Sequence, residues 1–376
     1  MFDKQARKSW VGKLSNKGGV VMFSEKRRVT KKSFTGKVHL MIRFSMVLII
    51  LAGGLTLGAG SVLSAPATLK FATTIPPTHP IVTQVFDPWA KKVNEASNGE
   101  LEIQVINGPT LANAANVWER TLNQVADIGW GIHGAVGLPF PKSTVSSLPF
   151  TVEDLTTGSV ALWRIYANGL IADEYKDLKV LSLVVTPTSL LISKKPVNSL
   201  EDVKGLKLRV ANKIASDVVM ALGGSPISVP ATETYQALQR GVIDGSIAGW
   251  VLINGFMLYE VVNYYVEGVP LGDAPGFVVM NRKSYEMLSP KAKETLDRFS
   301  GETFSRDFGA FFKSDMERGR ERVKAMPNQH IVTLNPQEKE RWKKALEVMI
   351  KDWVAKTPNG QQLLDGFGSE IKKVTQ

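Results

Sequence analysis

Apolar and polar residues recur with two periods along residues 68–356, and the changes of period divide the chain into strands and helices. In Thr68–Thr74, Leu69, Phe71 and Thr73 share one face, the period-two pattern of a strand. Pro76-Pro77-Thr78-His79-Pro80 then breaks regular structure. Val82, Val85, Phe86, Trp89 and Val93 follow at helical spacing and predict a helix over 81–97 that stops at Asn98-Gly99. Alternation returns over Leu101–Ile106, a helix is expected over 116–124, and Ala126–Trp130 reads as a short buried strand. Strand, helix, strand, helix, strand describes an α/β lobe with a largely parallel sheet.

The pattern continues with a helix over 160–168 closed by Gly169, a strand over 179–185 and a second at 190–193. Ser199 with Asp202 three residues on marks a helix start, and Gly205 ends that short helix. Lys207–Val210 reads as a strand with Arg209 near its carboxyl end. A helix closed by Gly223-Gly224, a short strand and another helix lead to Gly241-Val242-Ile243-Asp244-Gly245. Further strands are expected over 261–266, 275–281 and 330–334. Ser289-Pro290 opens a helical region reaching Ala325, and Pro336–Lys356 is a late helix.

Composition changes this picture at one end only. The chain has 376 residues, with 46 basic against 35 acidic side chains. Twelve of the basic and two of the acidic residues lie in 1–67, which leaves 34 and 33 in the remainder. The nearly neutral remainder does not supply the basic face that nucleic acid needs, so no nucleic-acid partner is expected. Phe44–Leu63 carries no charge, follows basic residues and precedes Ala65-Pro66-Ala67, the pattern of a secretory signal cleaved after Ala65 or Ala67. An uncleaved anchor is the competing reading of so long an apolar run. The absence of cysteine excludes disulfides, thiolate metal sites and cysteine nucleophiles.

Gly129-Trp130-Gly131-Ile132-His133-Gly134 matches G-x-G-x-x-G, with Glu153 and Asp154 downstream. Its context argues against a dinucleotide site. It follows the third strand rather than the first, and Pro139 and Pro141 disrupt any helix after Gly134. The expectation is a loop at the carboxyl end of a strand, where ligands sit in open α/β sheets. No H-E-x-x-H, no G-x-S-x-G and no phosphate-binding loop is present, so neither an enzyme nor a bound cofactor or metal is expected.

A set of ordered segments resembles one family. They are Ala126-Asp127-Ile128-Gly129, Leu148-Pro149-Phe150, Lys195-Pro196-Val197 with 200–210 (LEDVKGLKLRV), Leu222-Gly223-Gly224-Ser225-Pro226, and 233–245 (ETYQALQRGVIDG). They are similar to the extracytoplasmic solute-binding proteins of TRAP transporters, the DctP-like family. The resemblance implies a two-lobed α/β protein of periplasmic-binding-protein architecture. It implies a ligand cleft between lobes joined by crossovers, with 68–186 plus 275–314 in one lobe and 187–274 plus 315–376 in the other. It also implies an exported protein that hands a small carboxylate to membrane permease subunits. Service to a membrane sensor is the alternative. The family's carboxylate-binding arginine falls on Arg209, and the asparagine that often touches ligand falls on Asn212. Two departures matter: Thr186-Pro187-Thr188-Ser189 has no second arginine, and Gly249-Trp250 replaces a proline expected after Asp244-Gly245. They disfavour sialic acid and C4-dicarboxylates and point to a monocarboxylate with an apolar or aromatic body.

Guanidinium offers two parallel N–H donors and a permanent charge, which suits a carboxylate. One charge-assisted hydrogen bond contributes about 1.5–3 kcal/mol, against roughly 8 kcal/mol for micromolar affinity. Apolar burial must supply much of the rest, and Trp130 and Trp250 are the expected contributors. His133 and Thr74, in loops or strand ends near the expected cleft, complete the candidate ligand-binding set. Period-two alternation places Lys207 and Arg209 on the face opposite Leu206, Leu208 and Val210. Asp244 is expected to brace the turn before Gly245.

Overall fold

Residues 66–137, 140–187 and 189–376 are described by a computed structural model. The expected signal segment falls on residues 1–65, and Thr188 of the region lacking a second arginine is likewise outside the described residues. The described chain forms eleven strands: β1 (Ala67–Ala72), β2 (Leu101–Ile106), β3 (Ile128–Ile132), β4 (Leu178–Val185), β5 (Leu190–Ser193), β6 (Lys207–Val210), β7 (Ser225–Ser228), β8 (Gly245–Ala248), β9 (Tyr264–Glu267), β10 (Pro275–Asn281) and β11 (His330–Thr333). They build two sheets, each the centre of one lobe of a two-lobed α/β protein.

The first sheet has the order β2-β1-β3-β10-β4. β1 runs parallel to β2 and β3, whereas β10 is antiparallel to both β3 and β4. Four of its five strands therefore run the same way, as expected of a largely parallel sheet, and β10 alone is reversed because it arrives from the second lobe and enters from the opposite end. The second sheet has the order β11-β9-β5-β8-β6-β7. Here β6 is parallel to β7 and β8, and β5 is antiparallel to β8 and β9. The chain passes from the first sheet to the second between Val185 and Leu190 and returns between Glu267 and Pro275.

Helix ends follow their local chemistry. Asp202 accepts hydrogen bonds from the backbone N–H of Asn198 and Ser199 at 2.9 and 3.0 Å and so fixes the start of the short Leu200–Val203 helix. Ser289 caps the Pro290–Arg298 helix through Ala292 N–H, and Asn335 caps Pro336–Lys356 through Glu338 N–H. The long helical region from Ser289 is two helices, Pro290–Arg298 and Gly301–Lys324, broken where Gly301 takes φ +70°.

The Gly301–Lys324 helix ties the lobes together. Its first half packs on the Leu155–Ala167 helix of the first lobe and its second half on the Trp250–Gly255 helix of the second. Glycine stands at each close approach. A β-carbon at Gly309 would lie 2.6 Å from Leu155 O, and one at Gly319 would lie 2.3 Å from Asn254 Nδ2. The final helix, Gly360–Thr375, packs back on Leu155–Ala167. The expected placement of 315–376 in the second lobe thus does not hold for this helix. Buried Leu363 and Phe367, one turn apart, carry it onto the first lobe.

Candidate functional site

A cleft of about 450 Å³ lies where the two lobes face each other, within the size range of small-molecule sites. The first lobe contributes Pro76, His79, Ile132 and Ser147, and the second contributes Arg209, Ala211, Asn212, Ile214, Val251, Leu252 and Phe256. Both connecting segments line it as well, through Thr186 and Pro187 on one side and Leu271–Ala274 on the other. Phe312 of the interlobe helix completes a wall that is mostly apolar.

Among the described residues Arg209 is the one cation of that wall. Its strand, β6, lies inside the second sheet, with Arg209 beside Ile227 of β7 and Ser246 of β8. Of the two residues on that face of the strand, Lys207 is exposed and Arg209 is 6% exposed. The carboxyl end of the strand faces the cleft, whose lining includes Arg209. Nε donates to Val229 O at 2.9 Å, which fixes the plane of the guanidinium. Among the described residues no ion pair involves Arg209, and its two Nη atoms have no protein acceptor. Burial pushes its pKa down, yet an arginine keeps its proton. The result is a buried positive charge without a counterion, in low-dielectric surroundings where an anion would be held strongly.

Asn212 stands three residues on. Its Oδ1 accepts from Ala215 N–H at 2.9 Å and caps the Lys213–Ala221 helix. Ala211, Ile214 and Ala215 line the cleft beside it, so the positive end of that helix adds to the charge of Arg209. Asp244 accepts from Lys207 N–H at 2.9 Å and braces the start of β6, as a turn-bracing aspartate should.

The other candidates lie elsewhere. Trp130 is a core residue of the first lobe, 3% exposed, with the rings of Phe86 and Phe308 centred 5.6 and 4.9 Å away. Trp250, also 3% exposed, stacks on Tyr265 at 5.2 Å in the core of the second lobe. Neither lines the cleft; the aromatic surface there is Phe256 and Phe312. His133 is buried and both ring nitrogens are engaged: Nδ1–H donates to Pro275 O at 2.7 Å, and Nε2 accepts from Tyr175 O–H at 2.5 Å. Burial lowers its pKa to about 4, so it is neutral near pH 7. It borders a smaller neighbouring cavity of about 220 Å³ that also touches Asn212. Thr74 is half-buried just short of the wall that Pro76 and His79 form. His79 Nδ1 accepts from Ile81 N–H at 3.2 Å, and burial lowers its pKa.

The expected loop at Gly129–Gly134 is in large part strand β3. Its glycines admit neighbours rather than phosphate. A β-carbon on Gly131 would stand 2.6 Å from the Phe277 ring and 2.8 Å from Val117. Asp273, Phe256 and Phe312 went unread in the sequence, where each is a single residue without a motif. Only the meeting of distant segments makes them neighbours.

Comparisons with known proteins agree with this fold. Residues 71–357 match the family described as bacterial extracellular solute-binding protein, family 7. A TRAP solute-binding protein from Rhodoferax ferrireducens T118, solved with copurified benzoate, is 28% identical, with a TM-score of 0.76 over 82% of this chain and 98% of that one. A marine metagenome TRAP solute-binding protein described as specific for aromatic acid ligands, solved with 3-hydroxybenzoate, is 25% identical, with a TM-score of 0.77 over 83% of this chain and 100% of that one. The curated relative TsaT of Comamonas testosteroni, named an outer membrane transporter protein, is 24% identical over 81% of this chain and 91% of its own.

Proposed function

The chain belongs to the bacterial extracellular solute-binding proteins of family 7, the DctP-like binding proteins of TRAP transporters, and on that premise we propose that it captures a small aromatic monocarboxylate outside the cytoplasm and delivers it to the permease subunits in the membrane. The observation that carries this reading is Arg209, a buried guanidinium in an apolar cleft with no acidic partner among the described residues. A ligand carboxylate supplies the missing counterion through the two Nη donors, and Asn212 and the end of its helix lie alongside.

Magnitudes favour an apolar body. The charged contact contributes about 1.5–3 kcal/mol. An aromatic ring burying about 150 Å² adds about 4 kcal/mol at 25 cal/mol per Å². Together they approach the roughly 8 kcal/mol of micromolar binding, which the carboxylate alone does not. Wall residues such as Phe256, Phe312, Leu252 and Ile214 provide the matching surface. Benzoate and 3-hydroxybenzoate in the two solved relatives support an acid of this size and kind. Among the described residues no helix is long and apolar enough to cross a membrane. Export through the amino-terminal signal pattern remains part of the proposal.

The test is calorimetric titration of the protein, freed of copurified ligand, with benzoate, an aliphatic monocarboxylate and a C4-dicarboxylate. Benzoate binding that weakens by about ten- to 150-fold in Arg209→Ala is the expected result. Equal binding by the variant, or no binding of any acid, overturns the reading.

A further inference from the structure

Asp273 stands on the segment that returns the chain from β9 to β10, in the wall of the same cleft as Arg209. It is 6% exposed. Oδ1 accepts one long hydrogen bond, from Ser146 Oγ at 3.3 Å. Oδ2 is buried and has no partner among the described residues. Buried carboxyl oxygens are rarely left so, and Asp273 is among the residues that line the cleft a ligand would fill. No cationic side chain pairs with Asp273 among the described residues, so nothing there offsets the cost of an ionised carboxylate. Burial accordingly pushes its pKa well above the ordinary carboxylate value and favours the neutral acid. A neutral carboxyl carries an O–H donor as well as acceptor capacity.

We propose that Asp273 is a specificity-determining residue of the cleft, whose carboxyl hydrogen-bonds an uncharged hydroxyl on the body of the ligand, so that the site selects a hydroxylated aromatic monocarboxylate over its unsubstituted parent. The proposal rests on the reading of Arg209 as the carboxylate anchor. Leu271 and Ala274, beside Asp273 in the chain, and Phe312 elsewhere in the wall give the cleft apolar surface. An unsubstituted ring seated there offers the Asp273 carboxyl no polar partner, whereas a hydroxyl does. Sites built with a buried polar group reject analogues that lack its partner more strongly than apolar pockets reject added atoms. A second ligand carboxylate would meet a carboxyl with no cation beside it, so the same residue disfavours dicarboxylates.

The experiment measures the affinities of benzoate and of 2-, 3- and 4-hydroxybenzoate for the wild-type protein, Asp273→Asn and Asp273→Ala, with melting curves of the unliganded proteins as a check on folding. At least one hydroxy isomer is expected to bind wild type about tenfold or more tighter than benzoate. Asp273→Asn keeps most of that preference, because an amide also donates. Asp273→Ala brings the ratio close to one while benzoate affinity changes by only a few-fold. A purely structural role would weaken all four acids alike. Should the alanine variant fail to fold, infrared difference spectra carry the test. The band of a neutral carboxyl, absent from Asp273→Asn, shifts on binding the preferred hydroxybenzoate and not on binding benzoate. Equal binding of benzoate and every hydroxy isomer by wild type overturns the inference alone, as does a preference that survives Asp273→Ala. Failure of wild type to bind any of the four acids overturns the carboxylate reading and this inference together.

Discussion

Gly134 of the first lobe and Asn212 of the second meet so closely that a β-carbon on Gly134 would stand 3.2 Å from Asn212 Cβ. This contact borders the smaller cavity that adjoins the cleft at Asn212, and it leaves room for hydrogen but little more. A larger residue at 134 should hold the lobes apart at this point without disturbing either core. Gly134→Val is expected to weaken binding of an aromatic acid by roughly tenfold, equivalent to about 1.4 kcal/mol, while the melting temperature of the unliganded protein changes little. Calorimetry and a melting curve on the same preparation check both halves. An unchanged affinity would mean that closure does not bring these two residues together.

Arg209 separates charge from geometry in a second test. Removing the side chain in Arg209→Ala forfeits the charged contact, and a cost of about 1.5–3 kcal/mol corresponds to an affinity loss of about ten- to 150-fold. Arg209→Lys keeps a charge but loses both the paired donors and the Nε bond that orients the group toward Val229 O. It should fall between wild type and alanine. A lysine variant that binds as tightly as wild type would show that a point charge suffices and that the fork plays no part.

Gly131 tests the reassignment of the glycine-rich segment. The β-carbon of Gly131→Ala would press on Phe277 and Val117 inside the first lobe. Overpacking of this kind costs about 1–3 kcal/mol. The variant should unfold at lower denaturant concentration and, once folded, bind ligand with wild-type affinity. A stable variant with lost binding would restore a ligand role to this segment.

Local pattern was legible wherever the chemistry is local. Lys207–Val210, Pro275–Asn281 and Pro336–Lys356 have the bounds that alternation, proline and capping residues indicate. The Gly360–Thr375 helix was not legible, because Asn359-Gly360 reads as a terminator and Gly366 and Gly368 thin its apolar stripe. In the site, Arg209 stands in one of an ordered set of segments, 200–210, and Asn212 lies two residues beyond it. Trp130 and Trp250 were expected at the ligand because they are large and apolar, properties that a core residue shares. Asp273 gains its surroundings from Ser146, which is 127 positions away in the chain. No window of sequence contains that pairing.

His133 supplies a pH-dependent test of its structural role. Its folded pKa of about 4 lies below the ordinary value of 6.5, because burial disfavours the imidazolium. The folded state therefore takes up its proton later than the unfolded state does as pH falls. Stability from this residue is complete above pH 6.5 and is lost progressively between about pH 6.5 and pH 4, by about 3 kcal/mol in all. Glu174 and Asp273 shift the opposite way, their folded pKa values being raised by burial. They lose stability as pH rises, so the comparison must be made against a variant. His133→Gln keeps a donor and an acceptor for Pro275 O and Tyr175 O–H but cannot titrate in this range. Denaturant unfolding of both proteins at pH 7 and pH 4.5 is expected to show wild type losing more stability than the variant over that interval. Parallel losses would mean that the Pro275–His133–Tyr175 chain accommodates a proton, and that the ring is less rigidly held than its two hydrogen bonds indicate.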